Sequence, residues 1–392
     1  MNPTAIVVGS GPSGISMAHE LRKAGIPPFD IYKAAAKPGD VWHQNTYSRC
    51  GCDVPSHLYL FSFNKNPDWI SYFQQLGIRA HIHVLIRCIS TKWDDGRRKW
   101  VVSFRNKRTN IKFTREADIF ISCVGGAISV PKDCTSLRAS FGTRRSGITT
   151  MTCGKRIAVL GNGCSADQFV PWLVKQGAQV TQYAPLQQWY HERPNHRFTA
   201  MQRFLFRYVP SRLTLYRSRI FVKTDSLLPV KVPGLNPGPS IAFALPLTLL
   251  TTYLAMPKVQ KVRSRIEKES MAYMQRTAPA KYHKLLTPNY PLKCKRRVFL
   301  RTERISRIKG PTVTKADFNA IILAMGYKVQ EFPPMEIKGT NGKLLLQRLK
   351  ETCGAQAYRS TFVSGFPSFA IIFGPNSFPA HNSVMYTSEV QC

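Results

Sequence analysis

Two glycine-rich turns, each set between an apolar strand and an amphipathic stretch, constrain this chain more than any other feature. In the first, Ala5-Ile-Val-Val8 runs into Gly9-Ser-Gly11-Pro-Ser-Gly14, an amphipathic stretch continues to Arg22, and Phe29-Asp-Ile-Tyr32 follows. This reads as strand, turn, helix, strand. In such a unit the first glycine allows the tight turn, the second lets the backbone approach a pyrophosphate, and the third lets the helix pack on the sheet. The pyrophosphate sits at the helix N-terminus, where backbone N–H groups are unpaired. The unit recurs: strand Arg156–Leu160, turn Gly161-Asn-Gly163-Cys-Ser165-Ala166, a helix over Asp167 to Gln176, and strand Gln179–Tyr183. Alanine is an allowed third residue. Two dinucleotide turns imply two nucleotides and an electron carrier between them.

Two further strands end in glycine, Asp118 to Gly125 and Ala320 to Gly326, and are expected to close the two nucleotide domains. Residues from about 196 to 286 have helical periodicity, broken by the Pro/Gly-rich stretch Pro229 to Pro239. The expected fold is α/β: two Rossmann-like dinucleotide-binding domains with a helical insertion. Residues 1–150 are expected to form the first part of one nucleotide domain, 151–317 the second nucleotide domain carrying the insert, and 318–392 the second part of the first domain.

Composition narrows the function. At 392 residues and 43% hydrophobic, the chain can bury a large core, which excludes a small stapled module and a disordered segment. Its ten cysteines show no zinc spacing, so no metal is expected and the thiols read as reduced. Lys and Arg exceed acids for a net charge of +35. That field fits an ordinary basic surface, steering of a phosphate-bearing cofactor, nucleic-acid binding or adhesion to an anionic membrane. No dedicated nucleic-acid module supports the third. The N-terminus lacks a signal-peptide pattern, and a cytoplasmic location is expected. The apolar run Ser240 to Met256 falls short of the roughly 20 residues that span a bilayer and contains Pro246, so a buried or interface-lying helix is favoured over an anchor.

Several segments resemble Baeyer–Villiger monooxygenases and their flavin-monooxygenase relatives, particularly fungal secondary-metabolism members such as those of the sterigmatocystin and aflatoxin pathways. They are Gly39-Asp-Val-Trp42, Asn45-Thr-Tyr47, Cys52-Asp53-Val-Pro-Ser-His57, Asn289-Tyr-Pro-Leu-Lys-Cys-Lys295-Arg296-Arg-Val-Phe299, Gly365-Phe-Pro367, Gly374-Pro-Asn376 and His381-Asn-Ser383. The resemblance implies that NADPH reduces bound FAD, and that the reduced flavin and dioxygen insert one oxygen beside a ketone carbonyl or oxygenate a soft heteroatom. It places the catalytic arginine, which stabilises the anion formed with dioxygen, on Arg296. The aspartate that orients it falls on Asp53, and the lysine for the NADPH 2′-phosphate on Lys295. It further implies that Gly9, Gly11, Gly14, Trp42, Asn45, Tyr47, Asp53 and Asn376 line the flavin site. Gly161, Gly163, Ser165 and Ala166 line the nicotinamide site. His381 reads equally as a structural histidine.

The chain also departs from the pattern. Lys33 stands where an acid should bind the adenosine ribose. Ala184-Pro185-Leu186 replaces the phosphate-binding arginine, leaving Lys295, with Arg193 and Arg197 as further candidates. The interdomain fingerprint survives as Phe141-Gly142 without its histidine. Segments familiar in the family are expected to be missing after Asp68-Trp69 and Phe299, and the C-terminal helices usual in the family are not expected before Cys392. These gaps fit a mis-spliced transcript as well as a decaying gene. A Baeyer–Villiger monooxygenase acting on a fungal-metabolite ketone is the favoured reading. N- or S-oxygenation by the same cofactor and a cofactor-binding pseudoenzyme remain the alternatives.

Overall fold

The computed structural model describes residues 3–26, 28–37, 39, 47, 50–52, 54–71, 83–125, 153–183, 189–190, 195–225, 256–277, 280, 283, 287–288, 312–313, 316–324, 335–351, 356–375, 377 and 383–392. The first unit forms where its periodicity predicts: β1 (Ala5–Val8), α1 (Pro12–Lys23) and β2 (Phe29–Tyr32). β1 and β2 are parallel, with Ala5 opposite Phe29 and Val8 opposite Tyr32. All four residues of β1 are buried, as expected for a strand covered on both faces. Its side chains alternate: Ala5 and Val7 pack with Met17 and Leu21 of α1. Ile6 and Val8 point into a second cluster around Trp100 and Phe104.

That second cover is an antiparallel meander which the sequence reading did not foresee: β3 (Ile86–Asp94), β4 (Lys99–Asn106) and β5 (Lys112–Ala117). Its signal is the alternation Trp100, Val102, Phe104, three residues that are wholly buried. The β3–β4 turn is closed by the Asp94 carboxylate, which accepts from the Arg97 backbone N–H and Nε, each at 2.9 Å. The Trp100 indole donates to the Pro367 carbonyl at 2.8 Å. β6 (Ile119–Ser122) then pairs in parallel with β1, on the side away from β2.

The second unit consists of β7 (Arg156–Leu160), α2 (Cys164–Lys175) and β8 (Gln179–Tyr183). Its helix begins three residues before the expected Asp167, because extended Gly163 (φ −64°, ψ 178°) already serves as N-cap. The helical excursion supplies α3 (Ala200–Tyr208), α4 (Pro210–Asp225) and α5 (Met256–Thr277). Thr199 and Gln202 form a capping box at the start of α3, with reciprocal bonds of 3.1 and 2.9 Å. Phe206 and Leu213 seat this excursion on Leu60 and Trp69. The stretch Pro229 to Pro239 and the apolar run up to Ala255 lie outside the described residues.

A short hairpin, β9 (Thr312–Val313) and β10 (Ala316–Asp317), precedes β11 (Ala320–Leu323). β11 pairs in parallel with β7, so the boundary expected at residue 318 is too early. This strand closes the second sheet, in the order β11-β7-β8, and the return to the first unit lies beyond Leu323. The physical reason is its two-sided burial: Ala320 and Ile322 face α2, while Ile321 joins Ala158 and Leu160 on the other face. β12 (Glu336–Lys338) extends the meander beside β3, and α6 (Leu345–Glu351) buries Leu345 and Leu349 in the meander's core. β13 (Phe369–Ile371) completes the first sheet, in the order β13-β6-β1-β2, all parallel. A last helix, α7 (Val384–Gln391), stands where no C-terminal helix was expected. It lies against α1, with the hydroxyls of Ser13 and Ser388 2.9 Å apart.

Candidate functional site

Because every strand of the first sheet is parallel, their carboxyl ends share one edge, the place where open α/β sheets bind ligands. Gly9 follows β1, Lys33 follows β2, Cys123 to Gly125 follow β6, and Ile372 to Gly374 follow β13. Gly9 adopts φ +109°, and a Cβ there would collide with the Cys123 carbonyl oxygen. A Cβ on Gly14 would collide with the Gly9 carbonyl oxygen. The turn can therefore close only with glycine at both positions. Gly11 is the extended N-cap of α1; it supplies no side-chain cap, and the first turn carries no acid. The N–H groups of that turn are left for an anion. Gly39, the start of the Gly39-to-Trp42 motif, donates its N–H to the Ser10 carbonyl at 3.2 Å. The buried Ser10 hydroxyl has no partner among the described residues. This cradle fits the pyrophosphate of a dinucleotide. Lys33, 5% exposed, occupies the end of β2 where a ribose-binding acid would stand.

At the second turn, Gly161 adopts φ +95° and its N–H donates to the Tyr183 carbonyl at 2.8 Å. Gly163 is exposed, and a Cβ there would find only ordinary contact, 3.9 Å from the Ala324 carbonyl oxygen. Ala166 is wholly buried with Ile157 and Val159, so its small side chain sets the close approach of helix to sheet. This turn too fits a pyrophosphate at a helix N-terminus.

The two units meet through side chains at the start of α2. The Tyr47 hydroxyl donates to Gln168 Oε1 at 2.9 Å and lies 3.3 Å from Ser165 Oγ. Gln168 Nε2 donates to the Gly51 carbonyl at 2.8 Å, and Oε1 also accepts the Gly51 N–H at 3.2 Å. One amide thus pairs with a peptide unit of the first domain and with the phenol of its motif. Burial pushes the neighbouring Cys50 thiol above its ordinary range. Sequence reasoning missed Gln168, since a helical glutamine carries no signal and its partners lie over a hundred positions away.

His57, at the end of the Cys52-to-His57 motif, is also buried. Its ring meets Phe198 and Phe206 edge-on at 4.8 Å and Tyr216 at 5.6 Å. Neither ring nitrogen has a hydrogen-bond partner among the described residues. Desolvation, with the charge of Arg217 second, lowers its pKa to about 4. The imidazole therefore acts as an apolar knob that docks the helical excursion on the motif.

Of the expected site residues, the structure places Gly9, Gly11, Gly14, Tyr47, Gly161, Gly163, Ser165 and Ala166. It brings Tyr47 to the second turn, beside Ser165. Trp42, Asn45, Asp53, Lys295, Arg296 and Asn376 lie outside the described residues, as do His381, Arg193, the Pro185 loop and the Phe141-Gly142 linker. Arg197 is exposed just before α3. Among the described residues no helix is long and apolar enough to cross a membrane, and no cluster of three metal-ligating groups occurs.

Comparison with known proteins agrees with this architecture. The family described as NAD(P)-binding Rossmann-like domain matches residues 7–76. The chain is 29% identical to the FAD-binding monooxygenase ktnD of Aspergillus niger, over 99% of this chain and 67% of that protein. It is 26% identical to a Baeyer-Villiger monooxygenase of Streptomyces coelicolor, over 98% of this chain and 76% of that one. The crystal structure of OTEMO in complex with FAD and NADP superimposes with a TM-score of 0.72 at 16% identity, covering 99% of this chain and 84% of that one. That last likeness is one of fold.

Proposed function

We propose that the chain is an FAD-dependent, NADPH-using monooxygenase of Baeyer–Villiger type, with a ketone and dioxygen as substrates. The observation that carries this reading is the presence of two pyrophosphate-ready turns whose units meet where Tyr47 and Gly51 engage Ser165 and Gln168. One such turn serves many dehydrogenases and binding proteins. Two in contact suit a carrier that accepts a hydride from one nucleotide and passes electrons on from another. The similarity to named monooxygenases over nearly the whole chain supports oxygen as the acceptor. FAD, when bound, supplies the redox chemistry by which one atom of dioxygen enters the substrate and the other leaves as water.

The chain's own residues bind and stabilise. Gly9, Gly11 and Gly14 hold the FAD pyrophosphate against α1, and Gly161, Gly163, Ser165 and Ala166 hold that of NADPH against α2. Lys295 takes the 2′-phosphate. Arg296, oriented by Asp53, provides a permanent positive charge for the anionic oxygen that develops during the reaction. Further contacts to the flavin come from Trp42, Asn45 and Asn376. These last six assignments rest on motif resemblance. A ketone of fungal secondary metabolism is the substrate class that the motif resemblance implies, and similarity to a fungal FAD-binding monooxygenase fits it.

Reconstitution with FAD, anaerobic bleaching by NADPH, and aerobic turnover of a panel of cyclic and polycyclic ketones test this reading. A lactone or ester carrying one atom of labelled dioxygen is expected. Arg296→Ala should lower oxygenation by about 10²- to 10³-fold and spare anaerobic flavin reduction. With sulfides and amines added to the panel, sulfoxide or N-oxide as the sole product would move the assignment to heteroatom oxygenation. Buried Lys33 favours a second reading, a cofactor-binding pseudoenzyme. Retention of FAD with all NADPH consumption going to hydrogen peroxide with every ketone would establish it instead, and failure to bind FAD would overturn both readings.

A further inference from the structure

The helical excursion presents an apolar face to solvent. In α3, Phe206 is buried, and at about 100° per residue Met201, Phe204 and Tyr208 fall on the opposite side of the helix. They are 66%, 55% and 63% exposed, and the rings of Phe204 and Tyr208 lie 4.7 Å apart. α4 repeats the arrangement. Leu213 and Ile220 are buried, while Leu215, 65% exposed, and Val222 point away, with exposed Arg212 and Arg219 along one side of them. Each helix is thus apolar on two sides, once toward the protein and once toward solvent. Burial within the chain explains the first side only.

Charge identifies what the second side meets. From residue 193 to 224 the sequence has eight Lys or Arg and no Asp or Glu. Arg207 finds an acid only outside this stretch, at Asp68, 2.6 Å away. An exposed aliphatic and aromatic stripe edged by arginines is the signature of a helix lying in the plane of a bilayer, with its apolar face among the acyl chains and its cations at anionic headgroups. A second copy of the same surface would bring like charges together. A nucleic acid would leave the aliphatic side chains without a partner.

We infer that the helix pair α3–α4 is a docking surface for an anionic membrane, on which the protein lies peripherally. The inference does not depend on the chemistry proposed above, and no step of its test reads turnover.

The experiment is co-sedimentation of the full chain with phosphatidylcholine vesicles, with and without about one third phosphatidylserine. Binding is expected with the anionic vesicles, at least tenfold weaker with neutral ones, and reversed by about 0.5 M salt. Phe204→Ser combined with Leu215→Ser should weaken binding at least tenfold. Arg212→Gln should weaken it about fivefold. Ile111→Ser, at an exposed apolar position in the β4–β5 turn, should leave binding unchanged. Circular dichroism checks that each variant is folded. The inference is overturned if the parent chain ignores anionic vesicles, or if folded Phe204→Ser/Leu215→Ser protein binds them as the parent does. It is equally overturned if that pair abolishes self-association or duplex-DNA binding while the parent ignores vesicles, which would assign the surface to those partners.

Discussion

A methyl group at Gly14 would collide with the Gly9 carbonyl, whereas one at Gly163 would make only ordinary contact, 3.9 Å from its nearest neighbour. The two glycines therefore answer to different demands. Gly14→Ala should destabilise the fold by about 1–3 kcal/mol through overpacking and lose FAD on desalting, as read by urea unfolding and flavin absorbance. Gly163→Ala should melt like the parent and raise the nicotinamide nucleotide Kd about tenfold, because only a bound pyrophosphate needs that space. His57 makes the residue-scale case for pH. Its folded-state pKa of about 4 lies below the ordinary value of 6.5, so between these values the unfolded chain takes up a proton that the folded chain refuses. The stability contributed by keeping this ring neutral is whole above pH 6.5 and falls as pH drops toward 4, by about 3 kcal/mol. His57→Phe should flatten that part of the Tm-versus-pH curve; an unchanged slope would assign acid sensitivity to other groups.

At the scale of elements, the glycine turns and their strands were legible because each is local: four apolar residues, a turn that admits only glycine, and a helix periodicity. The interdomain latch was not. Gln168 satisfies both polar groups of Gly51 and the phenol of Tyr47, all partly or wholly buried. Gln168→Leu should cost about 1–3 kcal/mol, since these groups lose their partner without regaining water. A double-mutant cycle with Tyr47→Phe should show non-additivity by urea unfolding, while strictly additive effects would mean that the two side chains act separately. The meander was missed although its alternation around Trp100 is plain in the sequence. Only pairing with β3 and β5, and a cover from Phe120 and Phe369, shows it to be the outer layer of the first sheet. Trp100→Ala should cost about 3–5 kcal/mol.

Across the whole molecule the net charge of +35 gives a net positive long-range field. Flavin reduction at limiting nucleotide should therefore slow with ionic strength, and more steeply for NADPH than for NADH, which carries one phosphate fewer. Stopped-flow reduction between about 0.05 and 0.5 M salt measures this, and equal slopes would remove the long-range field as a factor. The sequence by itself determined the two nucleotide units, their order, and the strands that return to them, because a glycine whose Cβ has no room and a strand buried on both faces are local requirements. Tertiary structure decided which sheet each returning strand joins: Ala320–Leu323 lies beside β7, and the first sheet is completed only by Phe369–Ile371. It also decided that α7 covers α1 and that one glutamine ties the two units together. Those outcomes depend on which distant surfaces can bury each other's apolar side chains and pair each other's polar groups, and neither is written within any local window of the chain.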